Sequence, residues 1–368
     1  MILHLNTAKT WRGGEQQLYY LADGLKDHKI EQWIVGQPNS ELEKRCKGLF
    51  SFEPIKMRGE LDIFAVRNII NFVREKKIKL IHAHTAAAHS LALMTKKFVP
   101  ELYLVVSRRV DFPISKNIIS KRKYYSDKND FYLTVSNRIK EVLIHDGIDP
   151  EKIVTVYSGI DLKKSKTKIS PKYLMEEFKV HPGTIIIGNV AALVDHKDQE
   201  TLLRAISQIN IKKKFIFFIV GDGELESKLK ELAKELSIDD KVIFTGFRED
   251  ILAFYKMFDI FTLTSKEEGL GTSVLDAMSF VLPIVATTGG GIGEMLEHEK
   301  GALLTDVGDS ARLAGCFERL ISDSDLRHRL GQYNKDSVKK FSIENTIRKT
   351  IQVYYGFLGS SLYETTNH

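Results

Sequence analysis

The sequence predicts an α/β protein built from two doubly wound parallel sheets, one in each half of the chain. First, 368 residues exceed what a single hydrophobic core usually spans. Second, short apolar runs rich in Ile, Val and Phe alternate with amphipathic segments of helical length from end to end. Third, a charged stretch at 162–171 is too poor in apolar residues to join a core and is typical of a linker. We therefore expect a first domain over 1–165 and a second over 172–340.

Candidate strands alternate with helical patterns in both domains. Those of the first domain are Ile2 to Leu5, Gln32 to Val35, Leu80 to Ala83, Tyr103 to Val106, Phe131 to Val135 and Ile153 to Val156. Those of the second are Thr184 to Val190, Phe215 to Val220, Lys241 to Thr245, Asp259 to Leu263 and Pro283 to Ala286. A last helix and tail, over 341–368, follow a chain already long enough for two domains, so we expect this helix to cross back to the first. Ligands of open parallel sheets bind beyond the carboxyl ends of the strands, which favours a site in a cleft between the two domains.

Composition excludes several classes of protein. With 43% hydrophobic and 28% charged residues, the chain is neither disordered, collagen-like nor embedded in a membrane. Cys46 and Cys316 are too few and too far apart for a disulfide framework, which favours a reducing compartment. The apolar N-terminus meets Lys9 and Arg12 too soon for a secretory signal. We expect a cytoplasmic protein.

Positive charge is concentrated in the first half of the chain. Residues 1–160 hold 26 Lys and Arg against 18 Asp and Glu. One basic stretch is interleaved with apolar side chains and meets a single acid, Asp111. Its basic members are Arg108, Arg109, Lys116, Lys121, Arg122 and Lys123. This pattern favours peripheral contact with an anionic membrane, at the inner face of the cytoplasmic membrane, although an ordinary solvated basic face fits the same residues.

The most informative motif follows the candidate strand that ends at Leu263. It consists of a strand, an acidic glycine-rich turn and a helix, over 265–278. Backbone amides at Gly271, Thr272 and Ser273 would open the helix, where the dipole favours phosphate oxygens. Glu268 lies in the turn and Asp276 about two helical turns along, so two acceptors face one ligand.

These residues resemble the retaining glycosyltransferases of family four, whose hallmark is two Glu separated by seven residues in a turn and helix followed by Ala-Met. The resemblance implies GT-B architecture, in which two Rossmann-like domains face each other across a deep cleft. It also implies that Glu268 binds hydroxyls of the donor sugar and that Asp276 binds the nucleotide ribose. The segment Gly269, Leu270, Gly271, Thr272 and Ser273 would bind the donor, with the amides of its last three residues on the diphosphate. Asp276 is one methylene shorter than the Glu of the family.

A second match to this family lies at the first strand-to-helix turn of the second domain. The family places an Arg and, five residues later, a Lys there, which together neutralise the donor diphosphate. Lys197 fits the Lys, whereas Ala192 occupies the Arg position. A positioned cation stabilises the leaving diphosphate most in the transition state, so Glu268 and Lys197 are the residues expected to carry catalysis. Arg12, Arg108 or Arg109 could replace the missing cation.

Further segments resemble the family in the same order. Gly13 and Gly14, in a loop before the first helix, would contact the donor, and Phe247 and Arg248 lie where relatives contact the base. His84, Glu15, Arg12, Arg108 and Arg109 would lie on the acceptor or sugar side. Many relatives have a His where this chain has Ser107-Arg108-Arg109. Gly293 replaces a Pro of the family, so that loop should be more mobile.

No metal or cofactor is expected. Asp323-Ser324-Asp325 looks like a metal-binding Asp-x-Asp, but it precedes a helical pattern, and helix capping is the plainer account. The 11 histidines show no His-Glu-x-x-His or similar ligand spacing.

The resemblance implies a retaining, metal-independent glycosyltransferase. It would move a sugar from a nucleotide-diphosphate sugar to an acceptor hydroxyl. The basic first domain favours a glycan or an anionic, lipid-linked acceptor, in cell-envelope polysaccharide or lipopolysaccharide biosynthesis. A nucleotide-sugar epimerase of the same fold and a catalytically silent subunit remain alternatives. Nucleic acid is not an expected partner, because neither a recognition helix nor an aromatic stacking platform is evident.

Overall fold

The computed structural model of the protein describes residues 1–114 and 118–359 and divides the chain into two compact units. The first unit comprises Met1–Gly159 together with the C-terminal helix, and the second comprises Ile160–Ser342. Each unit has its own parallel sheet and its own buried core. No helix among the described residues is both long and apolar enough to cross a bilayer.

The first unit is built on a seven-stranded sheet in which all neighbouring strands are parallel. Its strands are β1 (Ile2–Leu5), β2 (Gln32–Gly36), β3 (Phe52–Pro54), β4 (Leu80–Ala83), β5 (Tyr103–Arg108), β6 (Phe131–Thr134) and β7 (Ile153–Thr155). Their order is β3-β2-β1-β4-β5-β6-β7, so the winding reverses between β1 and β4. The sequence predicts six of these strands and misses β3. This strand has three residues, and Pro54 is tolerated there because β3 lies at the sheet edge.

Helices follow the strands of the first unit in alternation. They are α1 (Gly13–Asp27), α2 (Glu41–Cys46), α3 (Ile63–Glu75), α4 (Ala86–Phe98), α5 (Ile118–Tyr124) and α6 (Asn137–His145). Side chains cap several of them. Asp62, Thr85 and Ser136 accept hydrogen bonds from first-turn amides of α3, α4 and α6. The loop that precedes each of these helices is therefore held firmly at the carboxyl edge of the sheet.

The second unit has a six-stranded parallel sheet of order β10-β9-β8-β11-β12-β13. Its strands are β8 (Ile185–Val190), β9 (Phe215–Val220), β10 (Val242–Gly246), β11 (Ile260–Leu263), β12 (Ile284–Thr287) and β13 (Ala302–Thr305). The winding reverses between β8 and β11. The edge strand β13 is missed by the sequence prediction, because Ala302, Leu303 and Leu304 favour helix over strand and only pairing with β12 makes them extended.

In the second unit, one helix precedes the first strand of the sheet in the chain and two helices follow its last strand. They are α7 (Lys172–Glu177), α8 (Gln199–Gln208), α9 (Glu226–Glu235), α10 (Ile251–Met257), α11 (Thr272–Ser279), α12 (Ser310–Ser322) and α13 (Ser324–Ser337). Asp323 caps α13, since its carboxylate accepts a hydrogen bond from the amide of Leu326 at 2.9 Å. The predicted capping role of the Asp-Ser-Asp segment is thus confirmed.

The predicted domain boundary at 165 lies six residues beyond the end of the first unit. Ile160 pairs with Ser342 as a parallel bridge, and its amide donates to the carbonyl of Phe341 at 3.0 Å. These bonds attach the segment from Ile160 onward to the second unit.

The last helix, α14 (Ile343–Leu358), belongs to the first unit and packs against α1. A Cβ on Gly24 of α1 would meet the side chain of Ile347 at 2.2 Å, so glycine lets the two helices approach closely. Ile347, Ile351 and Tyr354 are buried there in a core shared with β1 and β4. The predicted tail beyond α14, at 360–368, lies outside the described residues.

Candidate active site

The candidate site of the second unit lies where its sheet reverses direction. β8 and β11 are parallel neighbours, with Ile187 opposite Ile260. The loops that leave their carboxyl ends, 191–198 and 264–271, therefore meet at one edge. This switch point is the usual place for a ligand in an open α/β sheet.

Three hydrogen bonds hold these two loops together. The Thr264 hydroxyl donates to the carbonyls of Lys197 and Asp198 at 3.2 and 3.0 Å. The amide of Lys266 donates to the carbonyl of His196 at 2.8 Å. The backbone around Lys197 is therefore fixed by the loop that carries Glu268.

Lys197 and Glu268 form an ion pair at this edge. Lys197 Nζ donates to Glu268 Oε2, and the Ser265 hydroxyl donates to the same oxygen at 3.3 Å. The two side chains are only 17% and 14% exposed, so the pair is well shielded from water. The two residues that the sequence predicts as catalytic, 71 positions apart, are thus in direct contact.

The acidic turn leads into α11 as predicted from the sequence. Gly271 precedes the helix with a φ of +83°, a conformation that favours glycine. The Glu268 carbonyl accepts from the amide of Gly291 at 2.7 Å, which ties the turn to the loop after β12. Leu270 is buried, so only its backbone and that of Gly269 can face a ligand. Thr272 and Ser273 form the first turn of α11, whose positive dipole end suits phosphate.

Asp276 lies one turn further along α11 than Thr272. Burial raises the pKa of its carboxyl group to about 6, against a smaller lowering by the charge of Lys164. No hydrogen bond or ion pair within the described ranges engages this carboxylate. An acceptor in this state is suited to a hydroxyl pair of a ligand.

Backbone segments around the site pack too closely for side chains at three glycines. A Cβ on Gly221 would lie 2.1 Å from the carbonyl oxygen of Ala191, and one on Gly289 would lie 2.1 Å from that of Ser265. A Cβ on Gly223 would meet the carbonyl oxygen of Leu193 at 2.4 Å. The loops after β8, β9, β11 and β12 are thus pressed together. Ala192 contributes its carbonyl to Gln199 and supplies no cation.

Arg248, expected to contact the nucleotide base, is engaged within its own unit. Its guanidinium forms two hydrogen bonds each with Glu177 and Asp250, at 2.8 to 3.1 Å, and lies over the rings of Phe178 and Phe254. Hydrogen bonds to both carboxylates raise the pKa of Arg248. The side chain of Arg248 therefore holds the loop, and contact of this segment with a base remains a prediction. The neighbouring Phe247 is 66% exposed and free to stack on a base.

In the first unit, Gly13 and Gly14 begin α1 directly after the exposed Arg12. Both carboxylate oxygens of Glu15 accept hydrogen bonds at 3.1 Å, one from the amide of Arg12 and one from the side chain of Asn6. Glu15 is therefore a buried capping residue, and the expected acceptor contact through its carboxylate is not supported by this geometry. Its buried charge also opposes the lowering of the Arg109 pKa.

Three of the five described members of the predicted basic stretch are engaged within the first unit. Arg108 is buried, donates to the Tyr124 hydroxyl and the Phe112 carbonyl at 2.5 Å, and stacks on both rings. Arg109 donates to Ser158 at 3.2 Å, and burial lowers its pKa to about 10. Lys123 is buried against Glu60. Of this stretch, Lys121 and Arg122 are exposed, and Lys116 lies outside the described residues.

His84 belongs to a buried group of three histidines that sequence reasoning only partly found. Parallel pairing places His4 of β1 opposite His82 of β4, with His84 two residues on. His4 Nδ1 and His84 Nε2 share a hydrogen bond of 3.0 Å, while His82 bonds the hydroxyls of Tyr354 and Ser107 at 2.5 and 2.8 Å. Burial lowers the pKa of all three rings.

One nitrogen from each of these rings lies within 4.8 Å of the others, a spacing that a transition metal could use. Within the described part of the chain, His82 already bonds a hydroxyl at each nitrogen, which is sufficient for a structural role. The spacing rules applied to the sequence cannot find such a group, because His4 precedes His82 by 78 positions.

Two family models match this chain, one in each half. Residues 174–337 match "Glycosyl transferases group 1", and residues 11–164 match "Glycosyltransferase Family 4". Among curated proteins, N-acetyl-alpha-D-glucosaminyl L-malate synthase of Bacillus anthracis is 25% identical over 81% of this chain and 80% of its own length. The lipopolysaccharide core biosynthesis glycosyltransferase LpsE of Rhizobium meliloti is 28% identical over 90% and 92%.

Solved structures agree with this assignment. A glycosyltransferase from Rickettsia africae has a TM-score of 0.86 at 21% identity and covers 97% of this chain and 98% of its own. Anabaena Alr3699/HepE, crystallised with UDP and glucose, has a TM-score of 0.85 at 20% identity and covers 96% and 99%. The predicted GT-B class, with two Rossmann-like parallel-sheet domains, is confirmed.

Proposed function

The chain belongs to the glycosyltransferases of group 1 and family 4, and from this premise we propose that it moves a sugar from a nucleotide-diphosphate sugar to an acceptor hydroxyl with retention of anomeric configuration. The observation that carries the proposal is the Lys197–Glu268 pair at the switch point of the second sheet. It supplies one cation for a diphosphate and one carboxylate for sugar hydroxyls at the place where such folds bind ligands. HepE, which has the same fold, was crystallised with UDP-glucose, and this supports a nucleotide-sugar donor.

Donor binding exchanges the partners of the ion pair. The Lys197 ammonium moves from Glu268 to the diphosphate, and the first-turn amides of α11 add donors to its oxygens. Glu268 then accepts hydrogen bonds from the sugar, and Asp276 accepts them from the ribose.

The acceptor hydroxyl attacks the anomeric carbon on the face that the diphosphate leaves. The bond between the anomeric carbon and the phosphate oxygen breaks, a new bond to the acceptor oxygen forms, and the leaving phosphate takes the proton. Lys197 stabilises the negative charge that develops on the diphosphate, so its contribution is largest in the transition state. Because this cation and the helix amides supply the positive charge, we expect transfer to continue in EDTA.

The acceptor is proposed to be a glycan or a lipid-linked glycan of the cell envelope. LpsE and a second lipopolysaccharide core glycosyltransferase of Rhizobium meliloti, LpsD, are relatives over more than nine-tenths of their length, which supports this class. Lys121 and Arg122 are exposed on α5, as is the apolar Ile118 of the same helix, and this supports contact with an anionic bilayer. Stronger sedimentation with anionic than with neutral vesicles would bear this out.

Replacement of Glu268 tests the proposed function. Incubation of the protein with uridine, guanosine and adenosine diphosphate sugars, and detection of nucleoside diphosphate release with an envelope glycan extract, first identifies the donor. Glu268→Gln should then lower kcat by about 100-fold or more, since one oriented acceptor of sugar hydroxyls is lost. The exposed neighbour Glu267 offers the matched control, and Glu267→Gln should turn over like the unaltered protein.

Three outcomes contradict the proposal. Full turnover in Glu268→Gln removes the assigned role of that carboxylate. Conversion of the donor alone into another nucleotide-sugar, seen by nuclear magnetic resonance, indicates an epimerase. Absence of nucleoside diphosphate release with every donor and acceptor indicates a silent subunit.

A further inference from the structure

A cavity of about 490 Å³ opens in the first unit at the carboxyl edge of its sheet. Its walls come from the segments that follow four neighbouring strands: Thr7 and Lys9 after β1, Gln37 after β2, Lys56 and Arg58 after β3, and Ala87 after β4. It therefore includes the β1–β4 switch point, where an open parallel sheet usually binds its ligand. Its volume suits a small organic ligand or one to two sugar rings.

The cavity is positively charged. Lys9, Lys56 and Arg58 contribute three cations, and among the described lining residues there is no carboxylate. Within the same described part of the chain, no ion pair or side-chain hydrogen bond neutralises these three groups. The nearest acids in sequence are Asp62, which lines the smaller neighbouring cavity together with Lys56 and Arg58, and Glu60. Both oxygens of Asp62 accept backbone amides, and Glu60 binds Lys123 and Ser90.

The backbone between Lys56 and Arg58 is held in place by hydrogen bonds. Gln37 is only 4% exposed, and its side-chain amide both donates to the Met57 carbonyl at 2.5 Å and accepts from the Met57 amide at 3.1 Å. Asp62 then fixes the amide of Arg58 at 2.9 Å. Lys56 and Arg58 thus project from a loop whose conformation is set before any ligand arrives, which lowers the entropy lost on binding.

A second cavity, of about 290 Å³, shares Lys56 and Arg58 with the first and is also lined by Asp62, Phe64, Ala65 and Asn68. Three large apolar side chains are exposed beside it, at the start of α3: Leu61, Ile63 and Phe64 are 65%, 69% and 67% exposed. The two cations therefore stand between a polar cavity and an apolar surface. A polar cavity, a pair of cations and an apolar surface therefore follow one another. This order matches a ligand with a polar end, an anionic group and an apolar chain.

We propose that the first unit binds its acceptor as a lipid phosphate. Lys56 and Arg58, with Lys9, hold a phosphate or diphosphate group, the glycan end lies in the larger cavity, and the hydrocarbon chain lies on Leu61, Ile63 and Phe64. Three cations, one of them a guanidinium, suit the multiple charge and several acceptor oxygens of a phosphate better than a single carboxylate. This inference rests on the proposed transfer reaction for its meaning, because the ligand is assigned as the acceptor.

The proposal is tested by binding, without any donor. Isothermal titration compares three ligands. Farnesyl diphosphate has a diphosphate group and a hydrocarbon chain, inorganic diphosphate has only the former, and farnesol has only the latter. The unaltered protein should bind farnesyl diphosphate at least ten times more tightly than inorganic diphosphate. The exposed pair Lys56→Ala and Arg58→Ala together should weaken farnesyl diphosphate binding at least tenfold. Lys79→Ala with Lys97→Ala, two exposed cations at the opposite edge of the sheet, is the matched control and should change nothing.

The apolar surface has its own variant. Ile63→Ser with Phe64→Ser should reduce the affinity for farnesyl diphosphate to that for inorganic diphosphate and leave the latter unchanged. Equal affinity of the unaltered protein for both ligands, or unaltered binding after loss of Lys56 and Arg58, would overturn the proposal. Lys197→Ala removes the cation proposed to bind the donor diphosphate in the second unit. This variant should still bind farnesyl diphosphate as the unaltered protein does, so failure of the donor assignment and failure of this inference give different results.

Discussion

At the scale of single residues, the candidate site combines a charged pair with a carboxyl group whose pKa is raised by burial. The Lys197–Glu268 pair keeps both charges engaged before a donor arrives. Asp276, by contrast, has a pKa raised to about 6 by burial. Its ability to accept hydrogen bonds therefore changes within the range in which the protein can be studied.

We predict that donor affinity falls as the pH drops through about 6, because protonated Asp276 is a weaker acceptor for ribose hydroxyls. Asp276→Asn should bind the donor weakly at every pH and lack this dependence. Titration of the donor between pH 5 and 8 measures both. A pH dependence that persists in Asp276→Asn would assign it to another group.

The same substitution should stabilise the fold at neutral pH. Because the folded-state pKa lies above the ordinary value of 3.8, the folded state holds the proton more tightly, and stability falls as the pH rises from about 4 to about 6. Asp276→Asn removes this loss, so its melting temperature should exceed that of the unaltered protein at pH 7.5 but not at pH 4.

Buried histidines of the first unit make stability fall as the pH drops, which is opposite to the effect of Asp276. Burial lowers the pKa of His89 to about 3, against a smaller effect of its hydrogen bond to Asn129. Below about pH 6.5 the His89 ring therefore binds a proton in the unfolded chain but stays neutral in the folded state. Stability contributed by the neutral ring is complete above pH 6.5 and falls by about 2 kcal/mol between pH 6.5 and 5.

His89→Gln, which retains an amide donor for Asn129, should make the loss of stability on acidification smaller by that amount. Urea unfolding at pH 7 and pH 5 measures it. His145→Gln, at an exposed position, is the control and should follow the unaltered protein. An unchanged pH difference in His89→Gln would show that other groups cause the acid sensitivity.

At the scale of elements, the candidate site depends on turns that meet at one sheet edge. The loop after β12 reaches the acidic turn, because the amide of Gly291 donates to Glu268 and Gly289 lies against the carbonyl of Ser265. A Cβ at Gly289 would lie 2.1 Å from one backbone oxygen and 2.7 Å from another, and backbone cannot move aside as a side chain can. The β12 loop thus sets the position of the residues before Glu268.

Gly289→Ala should therefore lower transfer by at least tenfold and reduce stability by about 1–3 kcal/mol. Gly293→Ala in the same loop is the control, because nothing lies within 4 Å of a Cβ there. It should preserve both activity and melting temperature. Equal behaviour of the two variants would mean that the β12 loop adapts freely. The greater mobility expected from Gly293 remains a prediction.

At the scale of the whole molecule, the chain forms two units, each with its own core. The first unit is completed by α14, which follows the second unit in the chain. The two tryptophans, Trp11 and Trp33, both lie in the first unit. Tryptophan fluorescence therefore reports the unfolding of this unit alone, whereas circular dichroism reports both.

Ile347→Ala in α14 should lower the fluorescence-detected stability by about 2–5 kcal/mol, since it removes a buried side chain packed on Gly24. Ile206→Ala, in the core of the second unit, should shift the circular dichroism transition and leave the fluorescence transition unchanged. If fluorescence responds equally to both variants, the units unfold as one.

Sequence reasoning works best for this protein where chemistry is local. Strand-helix alternation predicts 11 of the 13 strands, and the strands it misses are short edge strands that depend on a neighbour. The turn from Ser265 to Ser273 contains its own glycines and helix start, so its structure follows from adjacent residues. Its partner Lys197 is distant in sequence, and only the match to the family motif identified it.

The sequence by itself determined the fold class, the acidic turn and the nature of the two central charges, because periodicity, glycine positions and motif spacing act over a few residues. Only the tertiary structure decided which side chains are engaged within the protein and which are left to face a ligand. Arg108, Arg248 and Glu15 look available in a linear chain, yet each is engaged by groups that folding brings to it. Likewise, pairing of β1 with β4 brings His4 to His82. Pairing of β1 with β2 and of β2 with β3 brings Lys9 into one cavity with Lys56. Partners far apart in sequence are selected by packing and register, and these depend on the whole chain.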